Sequence, residues 1–232
     1  MTNNDLRFIY GGSFDPPHRG HFNLAKTLCD VFAVTHFSFM PCATPALKSR
    51  LVASDDDRIA MLGLMLESDP RLNIDLSEIQ RGGVSYTQQT LAMIRRQQAD
   101  KKLVFVMGLD ALMGIRNWYN WQELVAENHL LVVNRPSGDT LGSALPSTLA
   151  SQISMQTVLT NAQDQVSLAQ AKWREQDGGT ITFVPDIEID ISSTMARQEL
   201  AMQTRDSLHL SSLVCPAVLK YIIQQGLYRP QN

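Results

Sequence analysis

A chain of 232 residues with 44% hydrophobic and 19% charged side chains has ordinary soluble globular usage and enough length to bury a sizeable core. Its formal net charge of −3 argues against a nucleic-acid partner, although a small anion needs only a local cluster of donors. Cys29, Cys42 and Cys215 are scattered and form no C-x-x-C pair, the opening Met-Thr-Asn-Asn-Asp is no signal peptide, and no apolar run reaches the length of a membrane span. The expectation is a cytoplasmic protein with no membrane contact and no metal held by its own side chains.

In chain order, residues 6–10 read as a first strand and residues 21–32 as a helix with Phe22, Ala25, Leu28, Cys29 and Phe32 on one stripe. Strand 36–41 follows, then a helix over 54–66 that opens on Ser-Asp-Asp-Asp, a run suited to an N-terminal cap. Strand 71–75, helix 87–98, strand 103–107 and strand 129–134 continue the alternation. Residues 136–179 are less regular, with Pro136, Pro146 and a polar helical candidate over 162–176; they read as a connecting elaboration. Strand 180–184 and helices 192–202 and 216–225 close the chain. Several strands are apolar on both faces, which suits a parallel sheet covered on each side. The predicted architecture is α/β: a Rossmann-like, doubly wound parallel sheet with helices on both faces and a C-terminal helical part over 191–232, all in one domain.

The first strand ends at Gly11-Gly12-Ser13-Phe14-Asp15-Pro16-Pro17-His18-Arg19-Gly20-His21. The two glycines read as a turn with positive φ and unshielded N–H groups. The helix that follows starts at the carboxyl edge of the sheet, where its free N–H groups and dipole favour phosphate. His18 and His21, three apart, face one way on the first turn and can donate hydrogen bonds, or positive charge when protonated. A Gly-Pro-rich turn accounts for the glycines alone, but not for both histidines at this spacing. Neither a P-loop nor a G-x-G-x-x-G follows the strand. Far downstream, Ile191-Ser192-Ser193-Thr194-Met195-Ala196-Arg197 places capping oxygens at a helix start and a charged fork one turn in.

Together these segments resemble the nucleotidyltransferase superfamily with the H-x-G-H motif, and within it the bacterial nicotinate mononucleotide adenylyltransferases. The similarity runs over nearly the full length. It implies ATP and nicotinate mononucleotide as substrates, with Mg²⁺ accompanying ATP. It implies ATP contacts at Gly11, Gly12, Ser13, Phe14, Asp15, Gly108, Asp110, Ile191, Ser192, Ser193 and Thr194, and catalytic roles for His18, His21, Lys48 and Arg197. An aspartate in Gly108-Leu109-Asp110 is equally explained as a plain helix cap. The resemblance also implies acceptor contacts at Tyr86, Thr87, Trp118 and Arg135. A helix N-terminus behind Ser85-Tyr86-Thr87 would prefer a carboxylate to a neutral carboxamide, and an indole face suits a cationic pyridinium. Trp121 reads as core, and His36, His129 and His209 as structural.

The chain departs from the family at Pro45-Ala46-Leu47-Lys48, where P-P-H-K is usual, so Leu47 stands for the histidine. It also has Ala196 for isoleucine. A phosphate monoester is already largely dianionic at neutral pH, its second pKa being about 6, so the implied attack on the α-phosphorus of ATP needs no general base. The histidines are then charge-stabilising donors. The alternatives are the same fold with another acceptor, such as nicotinamide mononucleotide or phosphopantetheine, and a nucleotide-binding regulator without catalysis.

Overall fold

A strand that is apolar on both faces must be covered on both, and period-2 alternation decides which side chain enters which layer. In β1 (Leu6–Gly12) Phe8 packs into one layer and Ile9 into the other, and in β6 (Lys102–Gly108) Val104 and Val106 separate in the same way from Phe105 and Met107. The computed structural model describes residues 5–47, 51–133, 154–187, 190–202 and 207–229. Among them lies a seven-stranded sheet in the order β4-β2-β1-β6-β7-β9-β8, every pairing parallel. The remaining strands are β2 (Phe37–Pro41), β4 (Leu72–Ile74), β7 (His129–Val133), β8 (Ser154–Thr157) and β9 (Thr180–Val184). A two-stranded parallel pair, β3 (Thr44–Pro45) with β5 (Val84–Ser85), stands apart.

One layer is built on α1 (Arg19–Val31), α2 (Asp55–Leu66), α7 (Gln163–Glu175) and α10 (Pro216–Gln225), which supply Leu24, Leu28, Met61, Leu62, Trp173, Val218 and Ile222 to the core over Phe8. The other is built on α4 (Thr87–Gln97), α5 (Leu109–Met113) and α6 (Trp121–Ala126), whose Leu91, Ile94, Leu112 and Leu124 cover Ile9 and Phe105. The other helical elements are α3 (Ser77–Arg81), α8 (Ser193–Ala201), α9 (Ser207–Leu213) and a single 3-10 turn over Ile115–Asn117. Helix α2 starts as its sequence requires: Ser54 Oγ accepts from the Asp57 N–H at 3.1 Å, and the Asp57 carboxylate returns to Ser54. No described helix is long and apolar enough to cross a membrane.

The segment expected to be a loose elaboration is partly integral to the sheet. Strand β8 pairs with β9 at the edge, and its Ser-Met-Gln-Thr run is too polar and short to read as a strand. Helix α7, polar over most of its surface, buries Trp173 completely against Phe8 and Phe32, and Gln170 Nε2 donates to the Phe32 carbonyl at 2.6 Å. One buried indole outweighs a weak apolar stripe, because aromatics bury the largest area.

His129, at the start of β7, is enclosed with both ring nitrogens engaged: Nδ1 lies 2.8 Å from Thr180 Oγ1 and Nε2 lies 3.2 Å from the Gln176 carbonyl. A carbonyl can only accept, so Nε2 carries the proton and Thr180 donates to Nδ1. Burial pushes the His129 pKa down to about 4 from 6.5. Between those values the unfolded chain takes up a proton that the native chain refuses, so stability falls as pH falls through that window. The expected loss between pH 7 and pH 4 is roughly 3 kcal/mol from this residue. Denaturant unfolding as a function of pH should show it, and His129→Gln, which cannot titrate, should give a flatter profile over the same range.

Candidate active site

The strand order reverses at β1, which has β2 on one side and β6 on the other, so crossovers leave in opposite directions and open a crevice at their carboxyl ends. Gly11 and Gly12 end β1 there. Positive φ is not what they supply, since the left-handed residue of this turn is Phe14, at φ 49°. They are glycine for room. A Cβ on Gly11 would lie 2.9 Å from the Phe105 ring, and one on Gly12 would lie 2.8 Å from the Phe14 ring. The Phe14 side chain is buried against Tyr10, His21 and Phe39, so it belongs to the core and only its backbone faces the turn.

Helix α1 begins one residue after His18. The rings of His18 and His21 stack with centroids 3.5 Å apart and planes 23° apart, and His18 is almost wholly buried. The His18 backbone N–H donates to His21 Nδ1 at 3.1 Å. An accepting Nδ1 carries no proton, so His21 is the neutral tautomer with its N–H at Nε2, a hydrogen-bond donor rather than a cation. Arg19, between them, turns away and donates to the Ser211 carbonyl at 2.6 Å.

The two distant motifs meet at the turn after β1. Ser192 Oγ caps α8 by accepting from the Met195 N–H at 3.1 Å, and Ser193 Oγ donates to the Pro16 carbonyl at 3.0 Å. Arg197 donates from Nη1 to the Asp15 carbonyl and from Nη2 to Thr194 Oγ1 at 3.2 Å. The N-termini of α1 and α8 therefore converge on residues 15–18. Ile191 is half-buried just before the cap.

The Asp15 carboxylate is turned inward. It accepts from the Val52 N–H at 2.8 Å, the Ala53 N–H at 3.1 Å and the Tyr228 hydroxyl at 2.6 Å, and it is 2% exposed. This side chain ties three segments together. Burial and the neighbouring carboxylate push the Tyr228 phenol pKa up, which keeps it a donor. Arg58, wholly buried, donates to the Ser13 carbonyl at 2.8 Å, the Cys42 carbonyl at 2.5 Å and Asp55 Oδ1 at 2.7 Å. The Cys42 N–H in turn donates to the Gly12 carbonyl at 3.0 Å.

A second wall lies beside this turn. The β3–β5 pair brings residues 44–45 to 84–85, and the Ala43 N–H donates to Ser85 Oγ at 2.9 Å. Tyr86 is then the N-cap residue of α4, with no side-chain bond to the helix, and Thr87 is its first residue. Tyr86 packs on the ring of Tyr119, with centroids 4.7 Å apart. Trp118 meets the edge of Phe105 at 6.4 Å, the ring that also lies under Gly11, and both Trp118 and Trp121 are half-buried against the same core layer. Gly108 ends β6 and caps α5, leaving Asp110 exposed in the first turn. Lys48 and Arg135 lie outside the described residues.

Residues 9–199 match the cytidylyltransferase-like family. The chain is 35% identical over 222 residues to a protein of Cellvibrio japonicus named probable nicotinate-nucleotide adenylyltransferase, covering 95% of this chain and 97% of that one. It is 35% identical over 225 residues to a protein of the same name from Laribacter hongkongensis, with 97% and 94% covered. The chain belongs to the cytidylyltransferase-like family, on the branch of these nicotinate-nucleotide adenylyltransferase relatives. Its fold matches Plasmodium falciparum nicotinic acid mononucleotide adenylyltransferase complexed with NaAD, at TM-score 0.71 and 18% identity over 97% of this chain and 98% of that one.

Three site-building residues lay outside the motifs. Arg58 sits in a helix and Tyr228 near the C-terminus, and neither carries a local signal for what it holds; Tyr119 adjoins Trp118 and had only its aromaticity to mark it. Asp15→Ala should strand two backbone N–H groups and the Tyr228 hydroxyl, at a cost on the order of 3 kcal/mol, whereas Tyr228→Phe should cost about 1 kcal/mol. Urea unfolding of both variants against wild type checks the ranking.

Proposed function

We propose that this chain transfers the adenylyl group of ATP to nicotinate mononucleotide, forming nicotinate adenine dinucleotide and pyrophosphate in NAD biosynthesis, as one nucleotidyltransferase domain in the cytoplasm. The observation that supports this best is the convergence of the His18–His21 stack with Ser193 and Arg197, residues more than 170 positions apart in sequence, at the carboxyl end of β1. The relatives' name supplies the acceptor, and the Tyr86-Thr87 cap of α4 beside Trp118 suits a pyridine carrying a carboxylate.

In this reading a phosphate oxygen of the mononucleotide attacks the α-phosphorus of ATP, and the bond from that phosphorus to the bridging oxygen breaks, releasing pyrophosphate. No proton need be removed from the nucleophile. The chain's task is to align two anions and to neutralise the charge growing on the leaving group. His21 donates from Nε2, His18 stacks on it and fixes its orientation, and the N-termini of α1 and α8 offer backbone N–H groups. Arg197 retains unused N–H groups for a phosphate oxygen, and Lys48 and Arg135 are the proposed cations for the phosphates of ATP and the mononucleotide. In this reading Gly12, Ser13 and Gly108 contribute through backbone, and Asp110 meets a ribose hydroxyl.

Among the described residues no three His, Cys, Asp or Glu side chains cluster as a metal site, and the turn is lined by donors suited to anions. Mg²⁺ fits this reading as an ion carried on the phosphates of ATP, where it adds charge neutralisation.

Pyrophosphate release with ATP and a panel of acceptors tests the assignment. The acid mononucleotide should exceed the amide in kcat/KM on the order of a hundredfold; preference for the amide or for phosphopantetheine overturns the acceptor, and release with none of them makes the chain a nucleotide-binding regulator. In the same assay His18→Ala should lower kcat by about 10²- to 10³-fold, and an unchanged rate removes that residue from the chemistry.

A further inference from the structure

Glu78 is an acid the reaction does not use, yet it is 3% exposed in the short helix α3, beneath the turn that leads into α4. Its Oε1 lies 3.0 Å from Thr90 Oγ1, and the Ser85 hydroxyl bonds to the same carboxylate. Thr90 is itself fully buried. Ser85 immediately precedes Tyr86-Thr87 and Thr90 follows one turn later, so one carboxylate grips the helix start from both sides.

The direction of each proton follows from the partners. An ionised carboxylate only accepts, so the Ser85 hydroxyl donates to Glu78; the Thr90 hydroxyl, which also has the Tyr86 carbonyl at 3.3 Å, donates to it over the shorter 3.0 Å, and both oxygens turn lone pairs outward. Ser85 Oγ is then free to accept the Ala43 N–H at 2.9 Å, and Thr90 Oγ1 accepts Arg81 Nη1 at 2.6 Å. Glutamine can accept from one hydroxyl, but its amide would donate to the other and reverse that proton. Burial pushes the Glu78 carboxyl up from its ordinary range, opposed by the two hydroxyls and by Arg81, with Asp75 the other acid facing it. Burial thus penalises an ionised side chain here, a cost that a purely space-filling residue would not carry.

We propose that Glu78 is a positioning residue for the acceptor, holding the N–H groups at the start of α4 and the β3–β5 pair in the arrangement that receives the substrate carboxylate. This rests on the acceptor reading above, and it assigns Glu78 to the mononucleotide and not to ATP. The test is a steady-state KM split in Glu78→Ala and Glu78→Gln, run with whichever mononucleotide the wild type accepts. Glu78→Ala should raise the acceptor KM about tenfold while the ATP KM stays within about twofold, and Glu78→Gln should raise the acceptor KM by less. If Glu78→Ala does not fold, Thr90→Val, which removes one hydroxyl and keeps the shape, is read in the same way. An unchanged acceptor KM, or equal rises in both KM values, overturns the proposal. Failure of the acceptor reading shows separately, as a wild type that turns over a different mononucleotide.

Discussion

The buried carboxylate of Asp15 is the joint on which the candidate site hangs. Its two oxygens collect the Val52 and Ala53 N–H groups ahead of α2 and the Tyr228 hydroxyl beyond α10, while its own carbonyl accepts Arg197 from α8. These partners stand 37, 38, 213 and 182 residues away in sequence. A carboxylate taken out of water is tolerated when its lone pairs are met, so the native shape of the turn after β1 is held jointly by the C-terminal tail and the segment before α2.

Arg58 applies the same logic with the opposite sign. Its guanidinium is wholly buried and links the carbonyls of Ser13 and Cys42, the residues that follow β1 and β2. Two loops at the carboxyl edge of a parallel sheet would otherwise move independently, because only their strands are paired. Beneath them the aromatic rings of Phe14 and Phe105 press against Gly12 and Gly11 so closely that no side chain fits. The backbone at this edge is held from below by rings and from behind by one cation and one anion.

Much of this was legible in the sequence because it is written in local periodicity. Strands apolar on both faces announced a parallel sheet, and Ser54 with Asp55-Asp56-Asp57 announced the start of α2. Residues 11–21 and 191–197 marked the two helix starts that the fold brings together. What escaped was long-range. Strand β8 is polar because it lies at an edge, α7 hides a single decisive indole in a polar helix, and Tyr228 and Arg58 act on partners far away in sequence. The glycines were recognised with the wrong cause, since a Gly-Gly pair reads as turn chemistry while here the requirement is volume, visible only once Phe105 and Phe14 are placed beneath them.

The arrangement also bears on how a chain of net charge −3 can gather two polyanions. Arg58 is engaged in binding carbonyls, Arg19 faces α9, and His21 holds no proton at Nδ1, so among the described residues much of the positive charge near the turn is already committed or neutral. Attraction then draws on oriented N–H dipoles at the starts of α1, α4 and α8, together with Arg197 and, in the proposed reading, Lys48 and Arg135. Fixed dipoles have an advantage over mobile cations: they act at short range, need no reorganisation when charge shifts from one phosphate to the next, and do not bind the product pyrophosphate as a cluster of lysines would. On this view the buried charges and hydrogen bonds behind the turn serve the chemistry indirectly, since a dipole stabilises developing charge only as well as the scaffold holds its direction.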